Sequence, residues 1–207
     1  MKIFYVLHIQ DKALADCVDA IRFICNPAEK QRAHLTVRGP YQKKIDVSSI
    51  SRKIVGDTVL INSVGNFFDS GQATVFFRCS APELRNVWNK PNYPFNPHIT
   101  IYDSESKEFA RRLFALMSKY HYSLKFQASD LEIIESRKGQ DSFSLAFAFN
   151  STLVSQVIGE RLTADRVSTL STERRLQLVD RLCAHLSAIH ARSAPAGSEP
   201  WQRRLPL

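Results

Sequence analysis

AHLTVRGPY (33–41) and NPHITIYD (96–103) carry one short pattern twice: histidine, an apolar residue, threonine, another apolar residue. Around both motifs apolar and polar residues alternate at the period of two that marks a half-buried strand. On a strand, residues i and i+2 project from the same face. His34 and Thr36 therefore share a face, as do His98 and Thr100. Leu35, Val37, Ile99 and Ile101 point into the opposite layer.

Working outward, each motif closes a similar unit. IFYVLHI reads as a strand, and DKALADCVDAIRFIC follows with Leu14, Val18, Ile21 and Cys25 at helical spacing. The first motif strand then ends at Gly39-Pro40. DTVLINSVGNFFD and QATVFFRCS form a hairpin or meander around Gly71, and APELRNVWNK is a helix with Pro82 in its first turn. The second motif strand comes next. SESKEFARRLFALMSKY is an amphipathic helix with a capping-box start at Ser104. SLKFQASDLEIIESRKGQDSFSLAFAF supplies two or three further strands. Strand, helix and motif strand thus occur over 3–39 and again over 73–103, which suggests two similar lobes facing one another. The fold class is α+β, or mixed α/β, with largely antiparallel sheets.

The 207 residues suffice for one domain with a substantial core. With 44% hydrophobic and 23% charged residues the chain is ordinary for a globular protein. No apolar run approaches the roughly 20 residues of a membrane span, and MKIFYVLHIQDK reads as a first strand, not a signal peptide. Cys17, Cys25, Cys79 and Cys183 have neither CxxC nor paired spacing, so they read as buried free thiols in a reducing cytoplasm. No zinc pattern is visible, and neither a metal nor a cofactor is expected. All eleven lysines lie at or before Lys138, and no Phe or Tyr follows Asn150. That shift divides the chain into a core (1–150), a helical appendage (151–192) and a Pro/Ser/Gly-rich tail (193–207). In the appendage Leu176, Val179, Leu182, Leu186 and Ile189 recur on one helical face. That face is expected to dock on the core; the other reading is a partner-binding helix. The net charge of +8 and pI near 9.5 point to an anionic partner such as nucleic acid or nucleotide.

Two imidazoles and two hydroxyls in one cleft suit phosphodiester chemistry. One neutral imidazole accepts the proton of the attacking water or hydroxyl, and the other, protonated, donates to the departing oxygen. The threonine hydroxyls hold non-bridging phosphate oxygens as charge builds up. A single His-x-Ser/Thr triplet has little specificity, as His121-Tyr122-Ser123 and His185-Leu186-Ser187 illustrate. His185 falls in a helix, where i and i+2 diverge by about 200°, and His121 ends one, a position favourable to the helix dipole. Only the two threonine-bearing triplets sit mid-strand. The competing reading is two half-buried strand histidines with local hydrogen bonds.

HLTV and PFNPHITIYD resemble the signatures of the two-histidine (2H) phosphoesterase superfamily. They are most similar to its bacterial 2′-5′ RNA ligase/RNA cyclic phosphodiesterase branch, whose second motif follows a Pro-Phe-x-Pro lead-in matched by Pro94-Phe95-Asn96-Pro97. The resemblance covers most of 1–150. It implies a bilobal fold of two antiparallel sheets around a central cleft, with pseudo-twofold symmetry, helices outside and no catalytic metal. It also implies His34 and His98 as the acid–base pair and Thr36 and Thr100 as phosphate binders. VRGPY after the first motif departs from the apolar stretch common in the ligase branch.

Further candidates flank the motifs. Arg38 shares the His34 face if the strand stays regular, within reach of a phosphate. Arg137 and Lys138 lie in a late hairpin turn where the family presents a basic residue. Tyr41 and Tyr102 follow the motifs closely enough to stack on a base, with core or rim packing the other reading for Tyr102. Phe67, Phe68, Phe76 and Phe77 read as core. The function expected is hydrolysis of a ribose-linked phosphodiester: a 2′,3′-cyclic phosphate, a 2′-5′ linkage or a small oligonucleotide messenger. The alternatives are a non-catalytic RNA- or nucleotide-binding module and RNA ligation in the same cleft. No membrane partner is expected.

Overall fold

The computed structural model of the protein describes residues 2–28, 31–90, 93–136 and 151–193. Its strands are β1 (Lys2–His8), β2 (His34–Tyr41), β3 (Thr58–Asn66), β4 (Thr74–Ser80), β5 (His98–Asp103), β6 (Leu124–Gln127) and β7 (Glu132–Ser136). The helices are α1 (Lys12–Cys25), α2 (Ser48–Ser51), α3 (Lys107–Met117), α4 (Thr152–Ile158), α5 (Ala164–Ser168) and α6 (Thr172–Ser193). All the strand pairings are antiparallel, in the order β6-β3-β4-β5-β2-β1-β7. The class is α+β.

Two facing sheets were the expectation; hydrogen bonding instead joins both halves into one seven-stranded sheet. The seam between β2 and β5 is narrow, with Leu35 opposite Ile99 as its register pair. Both side chains are fully buried, so packing fixes the seam. Beyond it another segment occupies the β2 edge. Asn89 donates its N–H to Val37 O (3.2 Å) and accepts from Gly39 N (2.9 Å), bridging in parallel to Arg38. β5 therefore cannot continue along β2.

That detour also limits the second expected helix. APELRNVWNK forms a 3₁₀ helix only over Pro82–Asn86, after which the chain turns to bring Asn89 beside β2. Helix α3 begins with Ser106 as its cap, not Ser104: Ser106 Oγ accepts from Phe109 N at 3.2 Å. With Phe109 as the third helical residue, no capping-box carboxylate reaches back. The hairpin of β3 and β4 forms around Gly71, which takes a left-handed φ of 80°. At Gly39 (φ 109°) a Cβ would lie 2.6 Å from Ile3 O, so only glycine fits where β1 and β2 bulge past each other.

Helices α1, α3, α4 and α6 cover one face of the sheet. Asp11 caps α1, its Oδ1 accepting from Leu14 N at 2.9 Å. All residues from Leu14 to Cys25 are buried, because α1 lies between β5 and α6. Helix α6 packs on α1, α3 and α4 and buries Leu178, Val179, Leu182, Cys183 and Leu186 in the common core. The expected stripe of Leu176, Val179, Leu182 and Leu186 is buried, and Ile189 is partly so. All four cysteines are buried and unpaired. Among the described residues no helix is long and apolar enough to cross a membrane.

Candidate active site

The β2–β5 seam brings the two motifs together. Extending the Leu35–Ile99 register by one residue each way sets His34 across from Thr100 and Thr36 across from His98. All four side chains project to the face opposite the helices, and all are partly buried.

Each histidine is held by the same device. His34 Nδ1 donates to the carbonyl of Arg32 at 2.8 Å, and His98 Nδ1 donates to the carbonyl of Asn96 at 2.6 Å. A carbonyl only accepts, so both Nδ1 atoms carry the proton in the neutral ring. Nε2 is left with its lone pair, and among the described residues it has no hydrogen-bond partner in either ring. The Thr36 and Thr100 hydroxyls are likewise unengaged there. Burial holds His34 down to about 3, helped by the nearby Arg22 cation and by His8 and His98. Burial holds His98 down to about 4 against the pull of its carbonyl, with Lys90 adding to the shift. Both rings are thus held neutral at pH 7.

Helix α1 ties both motifs from beneath. Asp19, 8% exposed, accepts the Ala33 N–H at 2.5 Å and pairs with Arg32 Nε at 3.1 Å. Arg22, one turn on and 6% exposed, donates to the Thr100 carbonyl. One helical turn therefore fixes the backbone beside His34 and beside Thr100. A stripe of charge (Asp16, Asp19, Arg22) at i, i+3 and i+6 on an otherwise apolar helix was the available sequence signal.

Four other residues beside the site escaped the sequence reading in that role. His8 lies opposite His34 in the β1–β2 register, with ring centroids 6.1 Å apart. It donates from Nδ1 towards Ala33 O (3.3 Å), with Glu132 3.7 Å from Nε2. Phe76 is buried as expected, 1% exposed, and Phe67 is half-buried; both pack around His98. Their centroids are 4.9 and 5.4 Å from its ring and 4.5 Å from each other. Phe77 does enter the core, and Phe68 packs at its edge against Phe114. Lys90, over the rings of Trp88 (5.3 Å) and Tyr93 (5.5 Å), has no carboxylate partner among the described residues. Burial lowers its pKa.

The flanking candidates fare differently. Arg38 follows a bulge that pairs it with Tyr5 and skips Val37; its Nη1 donates to Val87 O at 2.7 Å, so it clamps the 87–89 segment. Tyr41 packs edge-on against Tyr5 at 6.0 Å, its hydroxyl buried. Tyr102 takes the packing alternative and does not reach the seam face. A bulge in the β4–β5 pairing places it opposite Val75, so it turns into the core, 5% exposed, against Phe109. Arg137 and Lys138 lie outside the described residues. His121 is exposed after α3, and His185 lies within α6, both in elements away from the seam. Among the described residues no three His, Cys, Asp or Glu side chains cluster to hold a metal.

No family model matches the chain, and no curated protein matches it.

Proposed function

We propose that the protein is a phosphodiesterase acting on a ribose-linked phosphodiester by two-histidine acid–base catalysis. The observation that carries this reading is the duplicated device at the seam: two imidazoles, each with Nδ1 pinned by the carbonyl two residues earlier. A structural histidine needs no such match, whereas an acid–base pair needs two rings with free Nε2 atoms facing one reacting group. The seam is read as the meeting line of two lobes related by a pseudo-twofold, as in the two-histidine phosphoesterases that the motifs resemble.

In the reaction one Nε2 lone pair takes a proton from water as its oxygen bonds to phosphorus. The other ring, protonated at Nε2, gives that proton to the ribose oxygen as its bond to phosphorus breaks. From a 2′,3′-cyclic phosphate the product is a phosphomonoester. Thr36, Thr100 and Lys90 stabilise the non-bridging oxygens. Because burial holds both rings neutral, the charged one gains its proton as the anionic phosphate enters, an opposite charge favouring the protonated form. We place this chemistry in the cytoplasm, without a cofactor, on RNA ends, 2′-5′ linkages or small oligonucleotides.

The deciding experiment measures hydrolysis of 2′,3′-cyclic nucleotides and 2′-5′ oligonucleotides in EDTA. Wild type should turn over, and His34→Ala and His98→Ala should each lose at least about 100-fold. His121→Ala and His185→Ala should retain activity. Full turnover in either motif variant ends the proposal. Tight binding without turnover identifies a sequestering module instead, and joining of RNA ends identifies a ligase.

A further inference from the structure

A polar groove of about 450 Å³ adjoins the site on the His98 side, lined by Asn62, Ser63, Arg78, Arg85, Phe95 and Asn96. It shares a wall with the reacting centre, because the Asn96 carbonyl is the group that pins His98. Arg78 is the cross-strand partner of His98 and of Ser63, so it stands on the same face of the sheet. Its volume falls in the range of small-ligand sites.

The two arginines are placed unusually for surface cations. Arg78 lies over the Phe76 ring (5.6 Å) and Arg85 over the Phe95 ring (4.4 Å). Neither pairs with a carboxylate among the described residues. Aromatic faces orient a guanidinium while leaving its N–H fork unspent. Such forks match phosphate oxygens bidentately. Phe95 adds a ring beside a groove whose amide and hydroxyl groups alternate with Cys79, Ala81, Pro82 and Pro97, and its cations beside an aromatic are the mix that tracks single-stranded nucleic acid.

We infer that this groove is a subsite for the neighbouring nucleotide of a single-stranded RNA chain whose reacting phosphate lies at His34 and His98. The inference rests on the proposed reaction for the location of the reacting phosphate, and it narrows the substrate from ribose-linked phosphodiesters in general to a single-stranded RNA chain. Arg85 and Arg78 take the next phosphate along the chain, and Phe95 with the Asn62–Ser63 edge meets its sugar or base.

The test is fluorescence anisotropy of the full chain with a fluorescein-labelled RNA hexamer ending in a 3′-phosphate. It is run with 3′-5′ and with 2′-5′ linkages, beside turnover of 2′,3′-cyclic AMP. Arg85→Ala should weaken binding of at least one hexamer about 10-fold and leave cyclic AMP turnover within about twofold of wild type, estimates scaled to a charge-assisted phosphate contact. Each phosphate contact contributes about −0.7 to the salt slope on a single strand. Arg85→Ala should therefore flatten log Kd against log salt by about 0.7, and the double variant with Arg78→Ala by about 1.4. Unchanged affinity and slope for both hexamers overturns the inference, as does an equal loss for cyclic AMP. Arg85→Gln, which keeps a polar stem, repeats the measurement should the alanine variant unfold. If wild type turns over neither a cyclic nucleotide nor a 2′-5′ oligonucleotide, the reaction proposed above falls, and the anisotropy arm still decides the groove.

Discussion

Replacing Asp19 by alanine attacks the point where α1 holds the first motif. The carboxylate accepts the Ala33 N–H at 2.5 Å and pairs with Arg32, whose carbonyl pins His34. Ala33 is buried, so its N–H would lose its partner where water does not reach, at a cost of about 1–3 kcal/mol. Arg22, 6% exposed, acts electrostatically on the Asp19 carboxyl, so the substitution also removes an opposite charge from near a buried guanidinium. Arg32 is partly exposed and relaxes into water, so these contributions overlap, and about 3 kcal/mol is the expected total. Against a domain stability of about 5–15 kcal/mol that is a large fraction. Urea titration should show a lower midpoint at unchanged slope. Asp19→Asn keeps an acceptor for Ala33 N and escapes the burial that pushes the Asp19 carboxyl up, so it should lose only about 1–2 kcal/mol. Both variants should turn over more slowly at temperatures where they remain folded. An alanine variant with a wild-type urea midpoint would refute the role given to Asp19.

Lowering the pH should destabilise the protein below about 6.5. Unfolded histidine titrates near 6.5, whereas folded His34 and His98 stay neutral down to about 3 and about 4. Between those values the unfolded chain binds protons that the folded state refuses, so stability falls with pH. A His34→Gln/His98→Gln variant should show a flatter urea midpoint against pH, and identical curves would contradict the neutral pair. Gly65→Ala places a Cβ 2.4 Å from Phe76 Cε2, so Phe76 must move off His98. We expect at least a tenfold loss of turnover with the fold retained, a scale set by displacing a catalytic group by about 1 Å; full activity would mean that the Phe76 contact is dispensable. Truncation after Asn150 uncovers the α1 face that α6 buries, and should give a less stable, aggregating protein. Recovery of a monomer with wild-type thermal stability would show that α6 does not support the core.

Local pattern alone was enough to read both motif strands, α1, the β3–β4 hairpin, α3 and the apolar stripe of α6. Each is a run whose periodicity and punctuation agree, and His34/Thr36 and His98/Thr100 share faces because the strand period is two. Pattern could not show which strands meet. The β2–β5 seam is one register pair between residues 64 positions apart, and it ends because Asn89 takes the β2 edge. Nor could alternation survive a bulge, which is why Tyr102 turned inward and Arg38 became a clamp. Phe76 is buried as its apolar strand predicts, but only the sheet's layering put it and Phe67 against His98. The sequence by itself determined the chemical groups and their local orientation, since those depend on neighbours within a few residues. Tertiary structure decided their convergence, the α1 tether through Asp19 and Arg22, and the neutral state of both imidazoles, because burial and charge proximity are set by segments far apart in the chain.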